Sequence, residues 1–154
     1  MCYLGIGDTY TPAHKDPCGS FGHNLMCHTT GEGSAFWFMS ARGVPQKDEP
    51  AAYFHDELGV ELDLESHKAT VDQFRAAPFD IYVAEQTLGD LVLVPPRSCH
   101  QVVNKGGITI KMSWSRMGLL SLDYSLHAEL ALYHRYRHIG DLVLILTYLS
   151  GCAD

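Results

Sequence analysis

The stretch Thr11-Pro12-Ala13-His14-Lys15-Asp16 decides how the rest of the chain is read. Read as a strand, it places His14 and Asp16 at i and i+2, so both side chains leave the same face. Pro12 excludes a helix interior and pre-sets an extended approach to the histidine. The same His-x-acid triplet recurs at His55/Glu57 and His127/Glu129, but those segments read as helical, where residues two apart point in different directions. Only the first triplet lies in an extended setting. On spacing alone it is either a metal-ligand pair or a solvated loop pair.

A third donor is His100, far downstream. If a second strand brings it alongside, two imidazoles and one carboxylate occupy one face of an octahedron and leave the opposite positions open. That donor set and geometry suit non-haem Fe(II) chemistry with O2.

Working outward, the flanking sequence reads as many short strands. Tyr3-Leu4-Gly5-Ile6-Gly7 is strand material with glycine breaks, and Asp16 to Ser20 is a turn. Asn24 to Thr29 and Ala35-Phe36-Trp37-Phe38-Met39 are strands, the second apolar enough to be covered on both faces. A proline-punctuated insert over 45–78 carries two short helices, the second starting near Ser66. Strands return at Ile81 to Glu85 and Leu91 to Val94, and Pro95-Pro96 ends the latter. Cys99 to Val103 is predicted to turn at Asn104-Lys105-Gly106-Gly107 as a hairpin and return through Ile108 to Trp114. Leu119, Leu122, Leu126, Leu130 and Tyr133 keep the spacing of a buried helical stripe. The expected architecture is mainly β, a jelly roll or barrel (a double-stranded β-helix) with a helical insert and a C-terminal helix.

The 154 residues are room for one domain with a real core. A net charge of −7 argues against general nucleic-acid binding and suits a basic peptide partner. Five scattered cysteines with no C-x-x-C pair argue against a disulfide framework or structural zinc. No signal-peptide pattern is present, and the longest apolar run, Leu142 to Leu149, is too short to span a bilayer. A reducing intracellular compartment is the default expectation. Residues 137–154 form a hydrophobic tail that either packs on the barrel or is a foreign end.

Over residues 3–136 the chain resembles the Jumonji C (JmjC) family of Fe(II)- and 2-oxoglutarate-dependent oxygenases. Thr-Pro-Ala-His-x-Asp at 11–16 is similar to the first ligand motif of JmjC hydroxylases. Gln86-x-x-Gly89-Asp90, an apolar strand, Pro95-Pro96 and then His100 resemble the run to the family's distal histidine. Asn104-x-Gly106 resembles the turn that follows that histidine in JmjC demethylases.

The resemblance implies that His14, Asp16 and His100 hold Fe(II), and that 2-oxoglutarate chelates it through the keto oxygen and C1 carboxylate. Hydroxylation of an N-methyl group would release formaldehyde; hydroxylation of a side-chain carbon would persist. For the cofactor's distal carboxylate the resemblance implies Thr11 and Asn24, near Trp37. The family's usual lysine next to that tryptophan is replaced by Ala35 or Ser34. Lys111, with Ser113 two residues on, resembles the carboxylate grip of other 2-oxoglutarate oxygenases; the alternative is a solvent-facing lysine on an alternating strand. Trp37 is expected as a core or pocket-wall aromatic, and Asn104 either as a site residue or as a turn former only. Arg97 and Tyr10 are candidates for the substrate mouth, whereas His23, His28 and His138 have no evident partner.

The leading reading is a protein or histone lysine demethylase in the nucleus; the alternatives are a protein hydroxylase of the same chemistry and a non-catalytic chromatin scaffold. The missing lysine favours the last. Met1 lies just ahead of the first ligand strand, so an N-terminally truncated domain is expected. The oligomeric state is not legible.

Overall fold

The structure, a computed structural model, describes residues 1–41 and 48–130. Its strands are β1 (Cys2–Gly5), β2 (Tyr10–Lys15), β3 (Phe21–Thr29), β4 (Ser34–Ser40), β5 (Ile81–Gln86), β6 (Leu91–Val94), β7 (Cys99–Lys105) and β8 (Thr109–Arg116). They form two four-stranded antiparallel sheets in the orders β1-β8-β3-β6 and β2-β7-β4-β5. Consecutive strands switch sheets at nearly every connection, which makes this the expected jelly roll.

The hairpin predicted at 104–107 does not form. β7 pairs with β2 and β4, while β8 pairs with β1 and β3. The chain does turn there, but the turn docks on another turn: the Gly107 amide donates to the Gly31 carbonyl, and the Ile108 amide to Thr30 Oγ1. Gly106, at φ +73°, has no room for a side chain, because a Cβ there would lie 2.6 Å from the Glu32 carbonyl oxygen. Two close-packed turns therefore carry the chain across the end of the sandwich.

Between the sheets lie Met26, Ala35, Trp37, Val94 and Val102. The other face of the second sheet is covered by the insert, whose helices α1 (Glu49–Asp56) and α2 (Val71–Ala76) bring Tyr53, Phe54 and Phe74 onto Ala13, Cys99 and Phe38. α1 starts at Asp48, which caps the Ala51 amide. α2 starts later than predicted from Ser66. The Thr70/Gln73 capping box satisfies the backbone amides of both residues and sets the boundary.

α3 (Leu119–Tyr124) continues into a π-helical turn, Ser125–Glu129. Leu122, Leu126 and Leu130 pack on Cys18 and Met117 at one end of the sandwich. Leu119 is 79% exposed, contrary to the predicted stripe. Leu122, Leu126 and Leu130 keep the stripe through both helical segments, and it is lost at Leu119, the first residue of α3. Tyr133, His138 and the hydrophobic tail lie outside the described residues. Among the described residues, no helix is long and apolar enough to cross a membrane.

Candidate metal centre

β2 carries His14, the residue after its end is Asp16, and β7 carries His100. In the β2–β7 ladder His14 faces His100 directly, with a register irregularity between Thr11 and His14 where Pro12 supplies no amide proton. Asp16, just past the strand, keeps extended dihedrals (φ −60°, ψ 135°). Its carboxylate therefore stays on the same side as His14, as the i, i+2 spacing predicts.

His14 Nε2 lies 4.0 Å and His100 Nε2 3.8 Å from Asp16 Oδ1. The two rings stand 4.2 Å apart between centroids. One ligand atom from each residue falls within 4.8 Å of the others, and this is the one such trio of potential ligands among the described residues. Both imidazoles are oriented by backbone. His14 Nδ1 lies 2.8 Å from the Pro12 carbonyl oxygen and His100 Nδ1 3.2 Å from that of Ser98. A carbonyl only accepts, so each Nδ1 carries the proton and each Nε2 turns its lone pair toward Asp16. Burial, with the neighbouring His14, pushes His100 down to about 3, so it stays neutral and ready to ligate. Burial also raises the Asp16 carboxyl, while His14 pulls it back. Two imidazoles and a partly buried carboxylate, with one ligand atom from each within 4.8 Å of the others, can hold a metal cation, and the donor set fits Fe(II).

The trio opens into a cavity of about 210 Å³ between the sheets. Every residue expected at the site lines it: Thr11, His14, Asp16, Asn24, Trp37, His100, Lys111 and Ser113. Lys111 is 4% exposed, so the solvent-facing alternative does not hold. It alternates with Met112, which is 45% exposed on the outer face of the same strand. Ser113 sits opposite Asn24 across the β3–β8 ladder. Of the two positions expected to replace the family lysine, Ala35 is fully buried between the sheets and Ser34 is buried and donates to Glu85 Oε1, so neither offers a cation. Trp37 is a wall residue: it stacks toward His100 at 5.8 Å and donates its indole N–H to Gln86 Oε1 at 2.9 Å. Gln86, fully buried, donates in turn to the Asn24 carbonyl at 2.9 Å. The Gln-x-x-Gly-Asp run thereby braces two wall residues at once.

Tyr10 lines the mouth, as does Tyr3, which the sequence did not single out. Tyr3's phenol is pushed up by partial burial and by the nearby Asp16 and Glu65 carboxylates. Arg97 is not at the mouth. It lies under α3 with its guanidinium 4.2 Å over the Tyr124 ring. Its backbone is left-handed (φ +62°), which turns the side chain away from the cavity. His23 is neither a plain surface residue nor a satisfied one. It stacks on Trp114 at 5.1 Å, and its buried Nδ1 has no hydrogen-bond partner among the described residues.

Sequence reasoning missed Gly22. A Cβ there would lie 2.3 Å from Asp16 Oδ2 and 3.0 Å from Val94 Cβ. Nothing local marks this glycine, since its need comes from a side chain on another strand. Gly22→Ala is expected to leave the chain folded and to weaken metal binding about 10- to 100-fold by displacing a ligand carboxylate. Calorimetric titration with Mn(II) beside a thermal melt checks it, and unchanged Mn(II) affinity would show that the carboxylate has room elsewhere.

The family profile described as "JmjC domain, hydroxylase" matches residues 1–115. C-module-binding factor A of Dictyostelium discoideum is 41% identical over 133 residues, which cover 84% of this chain. The aligned part is 13% of that protein's length, so most of the relative has no counterpart here.

Proposed function

The chain belongs to the JmjC family, and from that premise we propose that it is an Fe(II)- and 2-oxoglutarate-dependent dioxygenase acting on a protein segment. The observation that carries this reading is the pocket's two-ended chemistry. Three ligands with both Nε2 lone pairs inward stand on one wall, and a buried cation, Lys111, stands on the same cavity. His14, Asp16 and His100 would hold the iron. Lys111, Ser113, Thr11 and Asn24 would take the distal carboxylate of 2-oxoglutarate. Together the two groups supply O2 activation and oxidation of a substrate C–H bond. The protein's share is orientation and exclusion of water. The carbonyls of Pro12 and Ser98 fix the imidazole tautomers, Gly22 makes room for Asp16, and Trp37, Val94 and Val102 supply the apolar part of an otherwise polar wall.

The substrate we favour is a lysine-bearing segment such as a histone tail, which would place the protein in the nucleus. A net charge of −7 and a mouth formed by two tyrosines near Glu65 support a cationic side chain. N-demethylation and carbon hydroxylation share every residue named, and the hydroxylase-like Thr-Pro-Ala-His-x-Asp motif favours the second. A scaffold without catalysis rests on the missing lysine near Ala35, for which Lys111 is a substitute within the same cavity.

The test is aerobic incubation with Fe(II), 2-oxoglutarate and trimethyl-lysine peptides. Succinate should form. Formaldehyde marks demethylation, and a peptide heavier by one oxygen marks hydroxylation. If the chain binds Fe(II) and 2-oxoglutarate yet yields no succinate with any peptide, it is a scaffold.

A further inference from the structure

The sequence leaves Asn104 as a possible turn former, yet its side chain is not in the turn. It is 7% exposed and lines the cavity. Its Oδ1 accepts from Lys111 Nζ at 2.5 Å and from Thr109 Oγ1 at 3.1 Å. Its Nδ2 donates to Thr9 Oγ1 at 3.0 Å and, more weakly, to the Thr9 carbonyl at 3.3 Å. Two donors on one side and two acceptors on the other allow a single orientation of the amide. Flipping it would set an NH2 against an ammonium. The space is made by Gly5, where a Cβ would lie 2.5 Å from Asn104 Cγ.

What this amide does not do is neutralise. Among the described residues Lys111 has no carboxylate partner, and the Asn104 oxygen is the one hydrogen bond its ammonium makes. Buried lysines are usually paired with an acid. Here a neutral acceptor holds the ammonium in place while its charge stays unspent.

We infer that Asn104 is a positioning residue that aims Lys111 into the cavity and, by being an amide and not an acid, keeps the lysine's charge available to an incoming carboxylate. The inference rests on the proposed reading of this pocket as a 2-oxoglutarate site and deepens it. It assigns the discrimination for an anionic ligand to a side chain that touches the cation, not the metal.

The experiment titrates 2-oxoglutarate into the Mn(II)-loaded full chain by calorimetry, with Mn(II) affinity and the melting temperature recorded in parallel. Asn104→Asp is isosteric and supplies an internal counter-ion. It is expected to weaken 2-oxoglutarate binding about 10- to 100-fold at unchanged Mn(II) affinity, the scale of one charge-assisted contact. A purely structural asparagine predicts no such split. Gly5→Ala, which keeps the amide but crowds it, should weaken 2-oxoglutarate in the same direction. If Asn104→Asp binds 2-oxoglutarate as the wild type does while Lys111→Ala does not, the inference about Asn104 fails and the lysine grip stands. If Lys111→Ala also binds normally, the reading of the pocket's far end fails with it.

Discussion

His100→Ala is expected to abolish metal binding while the chain stays folded. Altering only the outer partners of a metal ligand costs roughly 10- to 100-fold in affinity, so deleting a ligand outright should cost at least about 100-fold. The remaining pair, His14 and Asp16, cannot define one face of an octahedron. The fold should survive for a specific reason. The insert cluster around Phe54 and the inter-sheet cluster around Met26 keep their residues in the variant, which gives up the ring's contacts with Trp37 at 5.8 Å and His14 at 4.2 Å. Among the described residues the ring's one hydrogen bond is to the Ser98 carbonyl. Two measurements check this. Mn(II) titration should show no saturable site in the variant, and the rise in melting temperature that bound metal gives the wild type should vanish. Under anaerobic conditions, Fe(II) with 2-oxoglutarate should give the weak visible chelate band in the wild type and none in His100→Ala. A variant that still binds Mn(II) with wild-type affinity would remove the metal centre from this account.

Lys111→Ala is expected to raise the 2-oxoglutarate dissociation constant about 10- to 100-fold with metal affinity unchanged, because one charge-assisted contact is lost. The lysine also sets a pH dependence whose sign can be worked out. Burial pushes Lys111 down from its ordinary value to about 8. Below that pH the free pocket holds an ammonium. Above it the pocket is neutral, and a binding carboxylate must first recruit a proton. Affinity should therefore be flat up to about pH 8 and then fall by up to about tenfold per unit. Stability should move the opposite way. Between about 8 and the ordinary lysine value of 10.5 the unfolded chain binds the extra proton, so the folded state gains as pH rises. In Lys111→Ala both slopes should flatten. Affinity that does not change across pH 7 to 9 would mean that another group grips the cofactor.

Much of this site was legible before the fold was known, and for a local reason. Strand periodicity alone puts His14 and Asp16 on one face, and Pro12 rules out the helical reading that disposes of His55/Glu57 and His127/Glu129. The sheet-rich architecture with a helical insert was equally readable, because short runs of alternating residues bounded by glycine and proline carry that information in place. Asn104 shows the limit. Asn-x-Gly reads as a hairpin turn, and the turn is there. What a four-residue window cannot contain is that β7 and β8 leave it for opposite sheets. The α3 stripe breaks similarly at Leu119, the first residue of the helix, because burial at a helix end depends on what lies beyond it and periodicity does not record that.

By itself, then, the sequence determined the ligand types, their spacing and the faces of individual strands, since these follow from backbone geometry over a few residues. Only the tertiary structure decided that His100 lies opposite His14, that Lys111 points inward with no counter-ion among the described residues, and that Gly22 and Gly5 are bare where other side chains need the volume. Each of those depends on which strands pair and pack across the sandwich, and pairing is a contest among distant segments that no local pattern records.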